Sequence, residues 1–505
     1  MWDIIKIYFT EERSIMKMKN KSLLWTIFLA IFSVNMLTVI VLCVLQTQNN
    51  LPASKMLILP IAFICMWLFL YYVLHKMRNF VQQMTPIALP VFLFVYGLVL
   101  YVLALNGRGN PVHDQEALYQ GALYFAGLSD KMPWEYFARC DNNTMPALIL
   151  GAVFRIGSLG GVVDPHYFAV LLNVVQVIIA MYCLYRLCES RNGVLSGWIA
   201  VLMIACFIPV IGQTLTLYTD SMSFCFGILA LYILQIDKGR EEHKRDWFTY
   251  VLIGFFLGVA GSIKMTALIT VVALLGYSIL CADKQKILKC IVILVVSLTV
   301  IMAGKSMTKM LPCESMRDSY GLPSVSYFLG IGLKGNGGYV DNQEYSAALN
   351  TIYGLEAKKA WSDQYIRENL GEFLNKDHII QKLRYNFASG GMGCAIFVQN
   401  LNKNHLLYRT MHHEGDLYWR YNMITTSYMY TFYGLIFIGM VLALFKRKEK
   451  DAVFSVSLIA IFGIMLYLML FEANNRQLYN HLPWFVLAAA CGISEIWNTI
   501  RMKKC

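Results

Sequence analysis

The chain has 505 residues, 57% of them hydrophobic and only 15% charged, with a mean hydropathy of +0.52. That balance excludes a string of soluble domains, which carry about 25% charged residues, and describes an all-α integral membrane protein. The net charge of +12 does not point to nucleic acid either, because Lys and Arg fall in short segments between apolar runs, where they orient a membrane protein instead of building a basic face.

A basic tail up to Lys21 precedes an apolar run at about 23–45 with no small-residue cleavage site, so the first helix is expected to be retained. Runs at 56–75 and 86–106 are also long enough to cross a bilayer. The tail and the basic turn at 76–78 are cytoplasmic by the positive-inside rule, which puts residue 107 on the exoplasmic side. The polar stretch from Gly107-Arg108-Gly109 through His113-Asp114-Gln115-Glu116 to Asn142-Asn143-Thr144-Met145-Pro146 thus supplies the first exoplasmic loop, 107–143, with Asp114 and Glu116 at the water boundary of a helix end. The next run, 144–158, is short and interrupted by glycines, whereas 166–187 is a full span ending in Arg186 and Arg191. Those arginines return to the cytoplasm only if 144–158 lies at, or dips into, the outer interface.

Spans at about 194–213 and 220–236 follow, and Lys238, Arg240, Lys244 and Arg245 hold the second one's end inside, leaving Leu217-Tyr218-Thr219-Asp220 exoplasmic. Residues 248–281 are apolar except for Ser262-Ile263-Lys264 and lie between two basic segments, so a pair of short helices is expected with Lys264 at the outer turn. A span at 286–304, a polar loop at about 305–423, and spans at 424–445, 452–471 and 480–498 complete about twelve crossings, with basic ends at 446–450 and 501–504 inside. The expected units are an N-terminal pair of spans (1–85), a catalytic transmembrane core (86–304), a large exoplasmic loop domain (305–423) and the C-terminal spans (424–505).

This ladder places four polar clusters on one face: Asp114, Asp220, Lys264 and Arg476. Ionisable residues at the edge of a membrane are costly and point to function. Each also has a plainer reading: Asp114 and Glu116 as a solvated loop, Asp220 as a helix cap in Tyr-Thr-Asp-Ser, Lys264 as a snorkelling anchor. A cation at 264 has no acidic residue near it in sequence and needs an anionic partner. His412-His413-Glu414 lacks the i,i+4 spacing of zinc helices and reads as a loop. The thirteen cysteines are scattered without CxxC or metal-type spacing and read as small buried residues. No cofactor is called for, and a divalent metal is compatible with these residues but not required by them.

The order of these features resembles the GT-C class of polytopic glycosyltransferases, in particular the branch of protein O-mannosyltransferases and aminoarabinose transferases, in its Gram-positive bacterial form. There an acidic pair opens the first exoplasmic loop ahead of an interfacial helix, as His113-Asp114-Gln115-Glu116-Ala117-Leu118-Tyr119-Gln120-Gly121-Ala122 does here, with Gln115 in place of the usual second acid. Asn142-Asn143-Thr144-Met145-Pro146 stands where the family has a Pro-led interfacial helix, and Tyr218-Thr219-Asp220 where an acid opens a later span. Gly258-Val259-Ala260-Gly261-Ser262-Ile263-Lys264 resembles a glycine-rich helix end closing in Thr-Lys, with Ile263 for the Thr; Glu472 to Arg476 resembles the Glu-and-Arg segment before a last span. Over roughly residues 86–480 the resemblance implies a multi-pass plasma-membrane enzyme with its active site on the exoplasmic face. It also implies a polyprenyl-phosphate sugar donor and an exoplasmic glycan or other acceptor.

Such a reaction needs a carboxylate to take the acceptor's proton and fixed cations to stabilise the leaving lipid phosphate. Asp114 is the expected base; Lys264, Arg476 and Arg108 are the expected phosphate-binding residues; Glu116, Tyr218, Asp220 and His113 are further site candidates. One carboxylate without a covalent intermediate implies inversion at the anomeric carbon. The aromatics Tyr320, Tyr327, Tyr339, Trp361 and Tyr365 of the long loop suit sugar faces and a small packed domain equally. Two rivals stand beside this reading. One is a transporter or flippase, for which internal repeats are not evident. The other is a polysaccharide polymerase or ligase that uses Arg409, His412, His413 and Arg420.

Overall fold

The computed structural model describes residues 2–45, 52–161, 164–237, 247–446 and 451–502, with side chains from Leu23 onward apart from residues 237, 446 and 502. The basic segments at 238–246, 447–450 and 503–504, and the side chains of the N-terminal tail, lie outside the described residues. Everything described is helix or connection, with no β-strand among the described residues.

Among the described residues, eight helices are long and apolar enough to cross a membrane: Leu23–Leu45, Ala53–Lys76, Arg78–Asn106, His166–Asn192, Thr219–Ile236, Lys284–Thr308, Tyr418–Phe445 and Ala452–Leu470. The expectation of about twelve is corrected on this measure, for two physical reasons. Hydropathy alone does not register helix breaks: the run at 194–213 divides at residues 206–208 into Val194–Ala205 and Pro209–Thr214, and a helix of 12 residues rises only about 18 Å against a core of about 30 Å. The stretch 248–281 divides at Lys264 into Trp247–Ile263 and Met265–Leu280, the pair of short helices expected from the sequence, each shorter than a full span. The last helix, Leu482–Met502, is long enough but carries Glu495 and Asn498, which dilute its hydropathy. It is instead nearly all buried as far as Ser494, at the centre of the bundle against Tyr418–Lys446. Around this centre the outer helices turn large apolar side chains outward, Phe94 at 73% and Phe69 at 66% exposure, as a lipid-facing surface does.

The stretch 144–158 forms the helix Thr144–Leu159, too short to be a candidate span. Its inner face (Ala147, Leu150, Phe154) meets Leu118 and Ala122 of the helix Asp114–Phe125, with Phe137 closing the small core. The two helices approach closely because Gly151 has no side chain: a Cβ there would lie 2.8 Å from Phe125 Cβ and 3.0 Å from the Ala122 carbonyl oxygen, while a Cβ on Gly121 would lie 2.5 Å from the Phe137 ring. This core fixes the helix whose first residue is Asp114.

Between Lys284–Thr308 and Tyr418–Lys446 the chain forms a run of short helices and turns. Tyr327, Ile331, Tyr345 and Leu349 form its own core, with Trp361 and Tyr365 packed on it, so those aromatics serve packing; Tyr320 and Tyr339 are exposed. Its helix Lys376–Phe387 joins the membrane bundle through Leu383 and Phe387. Residues 332–338 wrap the segment after Ala452–Leu470, where Ala473 donates to the Gly337 carbonyl at 2.8 Å.

Candidate active site

Three chain breaks meet at one end of the bundle. Tyr218 is extended and starts the short helix Thr219–Met222; Lys264 is extended between Trp247–Ile263 and the turn Met265–Leu268; residues 471–474 lead into the turn Asn475–His481. Asn480 holds the three together, donating to Ser223 Oγ at 3.4 Å and Thr266 Oγ1 at 3.2 Å. The glycines before Lys264 serve packing: a Cβ on Gly258 would lie 2.6 Å from Val300 of the helix Lys284–Thr308.

Asp220 is fully buried and makes no capping bond to its helix. Its Oδ1 takes the Lys264 ammonium at 2.5 Å and its Oδ2 lies 3.2 Å from Arg476 Nε. The second approach is an ion pair without hydrogen-bond alignment, since Oδ2 and Nε both lack a well-directed partner. The side chains of Lys264 and Arg476 are 12% and 17% exposed, so both cations are largely desolvated around one carboxylate. Lys264 thus finds its anionic partner 44 residues away, and burial still holds its ammonium pKa below the ordinary lysine value.

The Arg476 guanidinium stacks 4.6 Å over the Tyr218 ring, and the Tyr218 hydroxyl donates to Asp114 Oδ2 at 3.1 Å. Behind it, Asn143 Nδ2 donates to Tyr218 Oη at 3.4 Å and to Tyr136 Oη at 2.5 Å. Burial and the Asp114 charge push the Tyr218 phenol well above its ordinary pKa, so it remains a proton donor to the carboxylate. Asp114 itself is half-buried and begins its helix after His113, whose φ of +50° lies in the left-handed region that L-residues avoid. Glu472 completes the cluster. Burial raises its carboxyl to about 7, with Arg476 opposing and the Asp114 charge adding to the rise.

Asp114, Tyr218, Asp220, Lys264 and Arg476 therefore come together. Three other sequence candidates do not join them. Arg108 is exposed and ion-paired with Asp164; His113 is exposed with its ring 3.2 Å from Gln399; Glu116, two residues from Asp114, lies on another face of the helix and is exposed. Glu472, Asn143, Tyr136 and Asn480 were not singled out as site residues from the sequence; for Glu472 the signal was an acid four residues before Arg476 just ahead of a span. Of the residues in the polymerase reading, Arg420 is exposed and the other three are engaged elsewhere. Arg409 pairs with Asp416 through two bonds of 2.8 and 2.7 Å, and His412 stacks between Tyr408 and His413. No group of three or more His, Cys, Asp or Glu placed to hold a metal occurs among the described residues.

The crystal structure of ArnT from Cupriavidus metallidurans bound to undecaprenyl phosphate is similar to this chain over 81% of its length and 78% of the other's, at 10% identity and a TM-score of 0.36. No curated protein sequence matches. Residues 9–497 match the family described as conserved hypothetical integral membrane protein, and the chain belongs to that family.

Proposed function

We propose that this multi-pass membrane protein is an inverting glycosyltransferase that moves a sugar from a polyprenyl-phosphate donor to an exoplasmic hydroxyl. The acceptor would be a cell-wall polysaccharide, a teichoic acid or a lipid-linked glycan. The observation that carries the reading is one accessible carboxylate, Asp114, joined through Tyr218 to two cations that are held in place before any ligand arrives. The acceptor oxygen attacks the anomeric carbon as its proton passes to Asp114; the bond from that carbon to the phosphate oxygen breaks, and the electron pair leaves on the phosphate. Lys264 and Arg476 stabilise that charge. Asp220 neutralises only one of the two, so the trio keeps a net positive charge for a phosphodiester, and because it is buried the cations need not reorganise during the reaction. The exoplasmic placement rests on the Lys and Arg distribution along the chain.

The test is Asp114→Asn with glycan mass spectrometry of the envelope and release of polyprenyl phosphate from labelled donor in nanodiscs. Loss of a general base typically costs 10²–10⁴-fold in rate. Loss of one monosaccharide branch and of phosphate release, with normal membrane insertion, is expected. Unchanged release and an unchanged glycan profile would refute the assignment.

A further inference from the structure

A second polar site lies behind the wall that carries Asn143. A cavity of about 380 Å³ opens between the end of the helix Lys284–Thr308, the turn Pro312–Met316 and the segment 141–144. Lys305, Lys309, Arg317 and Lys359 line it against only two carboxylates, Asp141 and Glu314. Both carboxylates are taken by Arg317, at 3.1 and 3.5 Å, and Lys359 pairs with Asp363 at 2.9 Å. Lys305 and Lys309 have no carboxylate partner among the described residues, and at i,i+4 they stand on one face of the chain. Two lysines at a helix C-terminus complement its dipole, which accounts for their charge but not for the cavity they share with an arginine. Arg317 Nε is buried there without an acceptor.

We propose that this cavity binds a phosphate group, as a site distinct from the Lys264–Arg476 cluster. Two further features bear on the ligand. Met307, Met310 and Val325 beside the lysines are 59%, 85% and 69% exposed, an apolar rim suited to a ligand presented at the bilayer surface. Asp141 and Thr144 face the cavity while Asn143, between them, bonds Tyr218 on the other side, so one short segment separates the phosphate site from Asp114. The phosphate belongs either to a lipid headgroup or to a water-soluble glycan phosphate. Under the glycosyltransferase reading it orients the acceptor; binding itself does not depend on that reading.

The test is the melting temperature of the full chain in detergent with glycerol 1-phosphate, with short-chain phosphatidylglycerol, or with sodium chloride at equal ionic strength. The same titrations are made on Lys264→Met, on Lys305→Gln/Lys309→Gln and on the charge-keeping Lys305→Arg/Lys309→Arg. The proposal expects a rise with a phosphate ligand beyond that with chloride, retained in Lys264→Met and in the double Arg variant. Apparent affinity should fall on the order of tenfold for each lysine replaced by Gln, the worth of a charge-assisted hydrogen bond. A rise with both phosphate ligands assigns the soluble phosphate, and a rise with the lipid alone assigns the headgroup. A rise lost in Lys264→Met but kept in the double Gln variant, or no rise beyond chloride with either ligand, overturns the proposal.

Discussion

Asp220→Asn removes the anion from between two desolvated cations while leaving the volume unchanged. At an effective dielectric constant of 20, contacts of 2.5 and 3.2 Å correspond to gross attractions of about 6.6 and 5.2 kcal/mol. Desolvation offsets most of this, and removing one partner of a buried ion pair typically costs about 3–5 kcal/mol, because the charges left behind remain buried. Unfolding a chain of 505 residues carries an entropy of roughly 1 kcal/mol/K, so the expected fall in melting temperature is about 3–5 °C. Fluorescence-detected size exclusion after heating, in detergent, reads this shift. Two features separate the proposed cause from generic damage. The double variant Asp220→Asn/Lys264→Met should regain part of the loss, since one uncompensated cation has gone, and inorganic phosphate should stabilise Asp220→Asn more than the parent by filling the vacated anion position. A parent-like melting temperature for Asp220→Asn, or a double variant less stable than the sum of the single effects, would refute Asp220 as the counter-ion that holds Lys264 and Arg476.

Further outcomes follow from the same geometry. Tyr218→Phe keeps the ring under Arg476 but removes the donor to Asp114, so transfer should fall about tenfold, the worth of one hydrogen bond to a charged group, while the melting temperature stays within a degree or two; parent-level transfer would show that Asp114 needs no such orientation. Glu472 titrates near 7 in the folded protein and in the ordinary carboxylate range when unfolded. Across that window the unfolded chain binds fewer protons, so this group's contribution makes stability fall as pH rises toward 7 and level off above it. Glu472→Gln should flatten the corresponding slope of melting temperature against pH, and an unchanged slope would remove Glu472 from the cluster's electrostatics. In intact cells an impermeant thiol reagent should reach cysteines engineered near Asp130 and Asn350 but not one near Arg240; the opposite pattern would invert the topology and remove the exoplasmic acceptor.

Composition and the spacing of apolar runs were enough to establish a helical membrane protein, because about 20 consecutive apolar residues have few other stable environments. The alternation of basic segments also pointed Asp114, Asp220, Lys264 and Arg476 to one face, since that needs only the order of charged segments along the chain and not which helices are long enough to cross. Pairing was a different matter. Lys264 and Asp220 are 44 residues apart, and Tyr218 and Asp114 are 104 apart, so only packed helices could show that Asp220 is a counter-ion and not a cap, and that Tyr218 orients the carboxylate. Arg108 carries the right charge in the right loop, yet the fold hands it to Asp164. The breaks at 206–208 and 264 were unequal in the same way. Lys264 interrupts its apolar stretch with a charge that a sequence displays, while Cys206, Phe207 and Ile208 are as apolar as their neighbours. Glu472 looks in sequence like any solvated acid before a helix. Its carboxyl is set near neutrality by burial and by the charges of Arg476 and Asp114, and burial is a property of the folded chain alone.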